Sequence, residues 1–201
     1  MDMISENNAL RLTGTLAGRP HFSHSNRGTE FWQFPLAVRR LSGTEDILNV
    51  IVRRELLESL TPEESDKLQV LGELRSFNNR SGSGARLVIT AYARALSPGS
   101  GADENSLCLT GTLCKPPTLR QTPLGRDICD LMLAVNRLYG RSDYLPCICW
   151  GSLARQAVRW SVGQRLRLEG RVQSRRYLKN TDLGPEERIA YEVSVSAAEP
   201  L

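Results

Sequence analysis

The chain has 201 residues, 40% of them apolar and 24% charged, with a net charge of +4. That bounds it to one large globular domain or two of about 100 residues, and excludes a chain too polar to bury a core. No apolar run approaches the ~18 residues that span a bilayer, and the opening MDMISENNAL lacks the basic start and apolar middle of a signal peptide, so a cytosolic protein is expected.

Alternating apolar and polar residues predict strands near 9–18, 30–40 and 46–52, a helix at 53–60, and strands at 67–77 and 85–95. Residues 97–104, SPGSGADE, have the composition of a flexible polar linker. Strands follow near 106–115, 127–138 and 144–150, then a helix between 151 and 162 with Leu153, Ala154, Ala157, Val158 and Trp160 on one face, and strands at 165–177 and 188–196. Five strands with a helix between the third and fourth is the order of the oligonucleotide-binding (OB) barrel. The expected fold is therefore all-β, two tandem OB-fold five-stranded Greek-key barrels with one short helix each: residues 1–97, a linker at 98–104, and 105–201. Pro35 and Pro146 fall inside strand-like runs and are expected at edges or bulges. Segments 78–85 and 178–187 read as mobile hairpin loops; Ser81-Gly82-Ser83-Gly84 lacks the Lys-Ser/Thr of a phosphate-cradling loop.

The two halves repeat. Leu12-Thr13-Gly14-Thr15-Leu16 recurs 97 residues later as Leu109-Thr110-Gly111-Thr112-Leu113, and the same offset carries Leu36-Ala37-Val38 onto Leu133-Ala134-Val135, Arg40 onto Arg137 and Asp46 onto Asp143. After one inserted residue the offset is 98, matching Leu68 to Leu166, Gly72 to Gly170 and Ser76 to Ser174. So many matches in one register mark a duplicated domain.

Charge separates the copies. Lys and Arg number 12 against 11 acidic residues over 1–98, none against 2 over 99–104, and 14 against 9 over 105–201. Only Lys67, Lys115 and Lys179 are lysines; the other basic residues are arginines, whose guanidinium both pairs with phosphate and stacks on planar groups. The excess concentrates in Gly163–Tyr177, GQRLRLEGRVQSRRY, where Leu166, Leu168 and Val172 alternate with Arg165, Arg167, Glu169 and Arg171, and Tyr177 follows Arg175 and Arg176. A half-buried strand with a basic face and an aromatic end suits a nucleic acid strand.

Catalytic and metal chemistry find no such support. The five cysteines are an odd number without Cys-x2-Cys spacing and read as reduced thiols, while His21 and His24 are confined to a loop in the other half. No metal, cofactor or enzymatic activity is expected.

The segments Leu131–Arg137 (LMLAVNR), Cys149–Ala154 (CWGSLA), Gly163–Arg171 (GQRLRLEGR) and Ala190–Val195 (AYEVSV) resemble, in order and spacing, the bacterial single-stranded-DNA-binding proteins. The resemblance covers nearly all of 105–197 and implies that bases stack on Tyr139, Tyr144, Trp150 and Tyr177. Arg137, Arg171, Arg175 and Arg176 complete the expected single-stranded-DNA-binding set as phosphate partners. Pro146 interrupts strand three, so alternation alone does not fix the face that Trp150 takes.

The first copy places Ser42, Ile47 and Arg53 opposite Tyr139, Tyr144 and Trp150, and only Phe77 keeps an aromatic where Tyr177 is expected. A degenerate face is therefore expected there, with Trp32, Arg39, Arg40, Arg53, Arg54 and Phe77 as a secondary DNA contact; Trp32 and Phe77 read equally as packing or oligomerisation. The acidic C-terminal tail through which family members recruit partners has no counterpart in this sequence, so tail-mediated recruitment is not expected. The resemblance implies four barrels per assembly, hence a homodimer, acting in replication, recombination or repair in the bacterial cytoplasm, at the nucleoid, with service to a plasmid or phage among the settings it allows. Two alternatives stand beside sequence-independent single-stranded DNA binding: a primosome-type assembly adapter working through protein contacts, and an RNA-binding OB module.

Overall fold

The computed structural model describes residues 7–79, 86–137, 140–181 and 184–201. Expectations for Ser81–Gly84 and for Tyr139 fall outside the described residues. Two compact units are present, Met1–Arg75 with Thr90–Cys108, and Ser76–Ile89 with Leu109–Leu201.

In the first unit, β1 (Asn8–Leu16), β2 (His21–Asn26), β3 (Thr29–Arg39), β4 (Glu45–Arg53) and α1 (Arg54–Leu60) are followed by β5 (Lys67–Asn78) as far as Arg75 and by β6 (Leu87–Pro98) from Thr90. Their spatial order is β2-β3-β4-β6-β5-β1, and β1 closes the barrel on β3 through Thr15↔Ala37 and Leu16↔Leu36. The second unit runs β7 (Glu104–Leu113), β8 (Thr118–Gln121), β9 (Asp127–Asn136), β10 (Ser142–Trp150), α2 (Gly151–Ala157), β11 (Arg165–Thr181) and β12 (Gly184–Pro200). Its order, β8-β9-β10-β12-β11-β7, is the same with every label advanced by six, and β7 closes on β9 through Thr112↔Ala134 and Leu113↔Leu133. Both are OB folds. The duplicated sequence has produced a duplicated topology.

Each core comes from strict alternation. On β4, Asp46, Leu48, Val50 and Val52 turn inward while Glu45, Ile47 and Asn49 face out. On β10, Leu145, Cys147 and Cys149 are at most 1% exposed. Burial raises both thiols, Cys149 to about 12 with Cys129 adding to the rise, so they pack as neutral apolar groups. One glycine at the same place in each barrel marks close backbone approach. A Cβ on Gly72 would overlap the carbonyl oxygen of Tyr92, and one on Gly170 that of Ser194.

Several details depart from the sequence reading. Strand one of each barrel resumes, after Pro20 or after Pro116-Pro117, as a short sixth strand, β2 or β8, so His21 and His24 lie on a strand rather than in a loop. The second helix ends at Ala157, because the next amides, Arg159 to Gln156 and Trp160 to Ala157, tighten into three-residue turns. The 178–187 segment continues the β11–β12 ladder through Leu178↔Glu187 to Thr181↔Gly184. Neither proline sits at a bulge. Pro35 pairs with Asn49 and Pro146 with Met132 in unbroken register. The Met132 carbonyl accepts from Cys114, so Pro146 occupies a pair that needs no N–H. The Pro35 carbonyl accepts from Ala17, one residue beyond where the β1–β3 pairing stops, so its missing N–H also points away from β4. The linker is held against the first unit. Asp103 accepts from the Arg39 amide at 2.8 Å and pairs with Lys67 at 2.7 Å, and Gly99 donates to the Lys67 carbonyl.

Candidate nucleic-acid interface

With no register shift at Pro146, the face of Trp150 is decided. Tyr144 and Trp150 lie on the outward side of β10, 51% and 37% exposed. Trp150 is the residue just before α2, paired across the ladder with Ile128. Its indole nitrogen donates to the Ser194 hydroxyl at 3.1 Å, which pins the ring edge against β12. Ser194 is the ladder partner of Arg171, and further along Ala190 faces Arg175 and Arg188 faces Tyr177. Ladder partners share a face, so Arg171, Arg175 and Tyr177 stand on the same side as Trp150.

The charges on this face are partly balanced. Arg175 lies 5.7 Å from the Tyr177 ring centroid and 3.7 Å from Glu192, a carboxylate 7% exposed that also accepts from Gln173 at 2.9 Å. Arg120 on β8 is held by both oxygens of Asp130, which raises its already high pKa and keeps it a permanent cation. Arg176, one residue out of phase, turns to the opposite face and pairs with Glu187 at 3.2 Å.

Arg137 has a different part. Its guanidinium binds both oxygens of Asp143 and donates to the Ser76 carbonyl at 3.0 Å. The Ser76 amide donates to Asp143 at 2.6 Å, and the Tyr144 amide donates to the Ser76 hydroxyl at 2.8 Å. Asp143 is fully buried, so these bonds satisfy its charge and fix the start of β10 beneath Tyr144. Arg137 thereby acts on the interface through the strand it braces.

In the first unit, Arg40 holds buried Asp46 in the same bidentate manner at 2.6 Å. Arg53 takes the place of Trp150 ahead of α1, and Arg54 pairs with Glu58 at 2.6 Å and Glu30 at 2.9 Å. Arg39 is exposed. Trp32 shares the inward parity of Phe34 and Leu36, and the repeat sets it at the position of Cys129, a residue of the second core. Its indole nitrogen is buried and has no hydrogen-bond partner among the described residues. Phe77 is 50% exposed; with Gly72 and Gly170 in equivalent places it stands where Arg175 does, two residues short of Tyr177.

The sequence reading missed a cluster on the outward face of this unit. His24 stacks on Phe31 with ring centroids 4.8 Å apart, and Phe31 lies 6.1 Å from Tyr92. Arg94 and Arg75 sit over the Tyr92 ring at 4.9 and 5.6 Å, and both bind buried Glu73. The signal was present: Phe31 falls out of phase with the inward Trp32, Phe34 and Leu36.

Residues 104–201 match the sequence pattern of the "Single-strand binding protein family". The chain is 34% identical over 80 residues to "Single-stranded DNA-binding protein 2" of Listeria innocua, covering 36% of this chain and 50% of that one. It is equally identical over 80 residues to "Single-stranded DNA-binding protein B" of Bacillus subtilis, covering 71% of that protein. The chain thus spans about half the length of the first of these relatives. Over 96% of its own length it superposes on 92% of the wild-type single-stranded DNA binding protein from Thermus aquaticus, with a TM-score of 0.79 at 24% identity, a likeness of fold. The chain belongs to the single-strand binding protein family.

Proposed function

We propose that this protein binds single-stranded DNA with little sequence preference, and that the second unit makes most of the contact. The observation that carries the reading is Trp150. A large ring stands 37% exposed on a sheet face, its edge tied to Ser194, with Tyr144, Arg171, Arg175 and Tyr177 on the same side. Such a ring stacks any base, contributing about 1–3 kcal/mol, and the arginines add a salt-sensitive attraction to phosphate. Arg137 supports the site from the base of β10.

The names of the relatives support the same substrate. On this reading residues 1–97 and 105–201 are the two barrels, joined at 98–104, and two chains pair to present four. The protein would protect exposed strands during replication, recombination or repair in the bacterial cytoplasm. Titrating the full chain with oligo-dT while following tryptophan fluorescence tests it. The expected result is quenching, weakening with added salt, and a loss of affinity in Trp150→Ala of about 5- to 150-fold. Equal affinity for duplex DNA, or none for either, would reject the reading, and an RNA oligomer bound more tightly than oligo-dT would redirect it.

A further inference from the structure

The outward side of β10 carries Tyr144, Pro146, Ile148 and Trp150, a ring at each end with an apolar floor between them. A carboxylate lies beside that floor. The parallel pair Cys147↔Val193 sets Glu192 of β12 level with Pro146, and Glu192 is the ladder partner of Gln173 on β11. It shares the side of Ser194, the residue that holds the Trp150 ring edge.

A carboxylate here weakens the pull of the face on phosphate, and its bonding shows what it offers instead. Asp130, on the same face opposite Ile148, has both oxygens taken by Arg120. Glu192 is closed only in part. Its side chain is buried and its Oε1 accepts from the Gln173 amide at 2.9 Å. Among the described residues Oε2 meets only the Arg175 Nε, at 3.7 Å, beyond hydrogen-bond length. Arg175 is 54% exposed, so it can turn to a phosphate without breaking a hydrogen bond to Glu192, which leaves Oε2 facing the ligand.

An ionised carboxylate only accepts, and one with spare lone pairs and little access to water gains most from a new donor. The exocyclic amino group of cytosine, adenine or guanine is such a donor. Thymine has none, and the carbonyl oxygens that flank its N3–H are repelled by the carboxylate.

We propose that Glu192, oriented by Gln173, is a specificity-determining residue. Its Oε2 accepts from the exocyclic amino group of a base lying over Pro146 and Ile148, between Tyr144 and Trp150, so the second unit favours cytosine over thymine at that place. The bias is one hydrogen bond laid over stacking and phosphate attraction that any sequence satisfies. It rests on the single-stranded DNA reading above and deepens it.

The test titrates the full chain with oligo-dC and oligo-dT of equal length, at one salt concentration and mildly alkaline pH, where oligo-dC stays single-stranded. Wild type is expected to bind oligo-dC about 3- to 10-fold more tightly. Glu192→Gln, whose amide both accepts and donates, brings the two affinities to within about 2-fold of each other. Asp130→Asn makes the same change of charge on the same face and moves both affinities together, with their ratio as in wild type. A further measurement needs no variant: an oligomer of N4,N4-dimethylcytosine keeps the ring, lacks the amino hydrogens and loses the advantage of oligo-dC. Thermal melts report whether Glu192→Gln folds; should it fail to fold, the dimethylated oligomer decides. Equal wild-type affinities for oligo-dC and oligo-dT, or a preference unchanged by Glu192→Gln or by dimethylation, would overturn the inference and leave single-strand binding intact. Failure of wild type to bind either oligomer would overturn both.

Discussion

The two units share strand order, closing pairs, close-approach glycines and the buried Arg–Asp brace, yet their outward faces have been rewritten. Inward positions answer to packing, where a ring or a methylene displaced has a cost of kilocalories. Outward positions answer to a ligand, and a ligand with many equivalent planar bases accepts a ring at any of several neighbouring places. A repeat can thus hold its core residue by residue while its outward residues change.

The largest effect tests the shared frame. Asp46→Ala and Asp143→Ala each strand an arginine and, in the second unit, the Ser76 amide; each is expected to destabilise its unit by about 3–5 kcal/mol in chemical denaturation. Two very unequal values would show that the copies do not rest on the same brace. Gly72→Ala and Gly170→Ala, which drive a methyl into a neighbouring carbonyl, are expected to cost about 1–3 kcal/mol each. Equal losses in the melting curves would support the matched register of the two barrels.

The third sharpens the contrast itself. Trp150→Arg gives the second unit the residue that the first holds, and oligo-dT affinity should fall about 5- to 150-fold. Adding Ser194→Tyr completes the exchange and should restore part of it. A double variant no better than the single one would mean that a ring on β12 cannot serve.

The smallest effect concerns Cys147 and Cys149, which stand where the first unit has Val50 and Val52. Both thiols are raised by burial, Cys149 to about 12, so the unfolded chain ionises first as pH rises. Their contribution is fully present below the unfolded thiol value of about 8.5 and is lost between there and the folded values. The second unit should lose melting temperature over about pH 8.5 to 11, and Cys147→Val/Cys149→Val should flatten that part of the decline. An unchanged slope in the variant would place the alkaline sensitivity elsewhere.

Much of this molecule was legible before any coordinates. The repeat and the order of the long strands and the helix followed from periodicity, and in the fold Tyr144, Trp150, Arg171, Arg175 and Tyr177 lie on one face. Arg176 was grouped with them by proximity in sequence, but adjacent residues on a strand point to opposite sides. Arg137 is expected from the sequence as a phosphate partner, and the folded chain closes it around Asp143 and Ser76. The sixth strands, the continued β11–β12 ladder and the tied linker depend on where partner groups lie, which local pattern does not record.

By itself the sequence determined that two copies of one barrel would form, because core burial acts on spacing and spacing is written in the chain. Tertiary structure alone decided which outward residues stand side by side. Trp150 against Ser194 and Phe31 near Tyr92 join strands 44 and 61 residues apart, and hydrogen-bond register, not nearness along the chain, makes them neighbours.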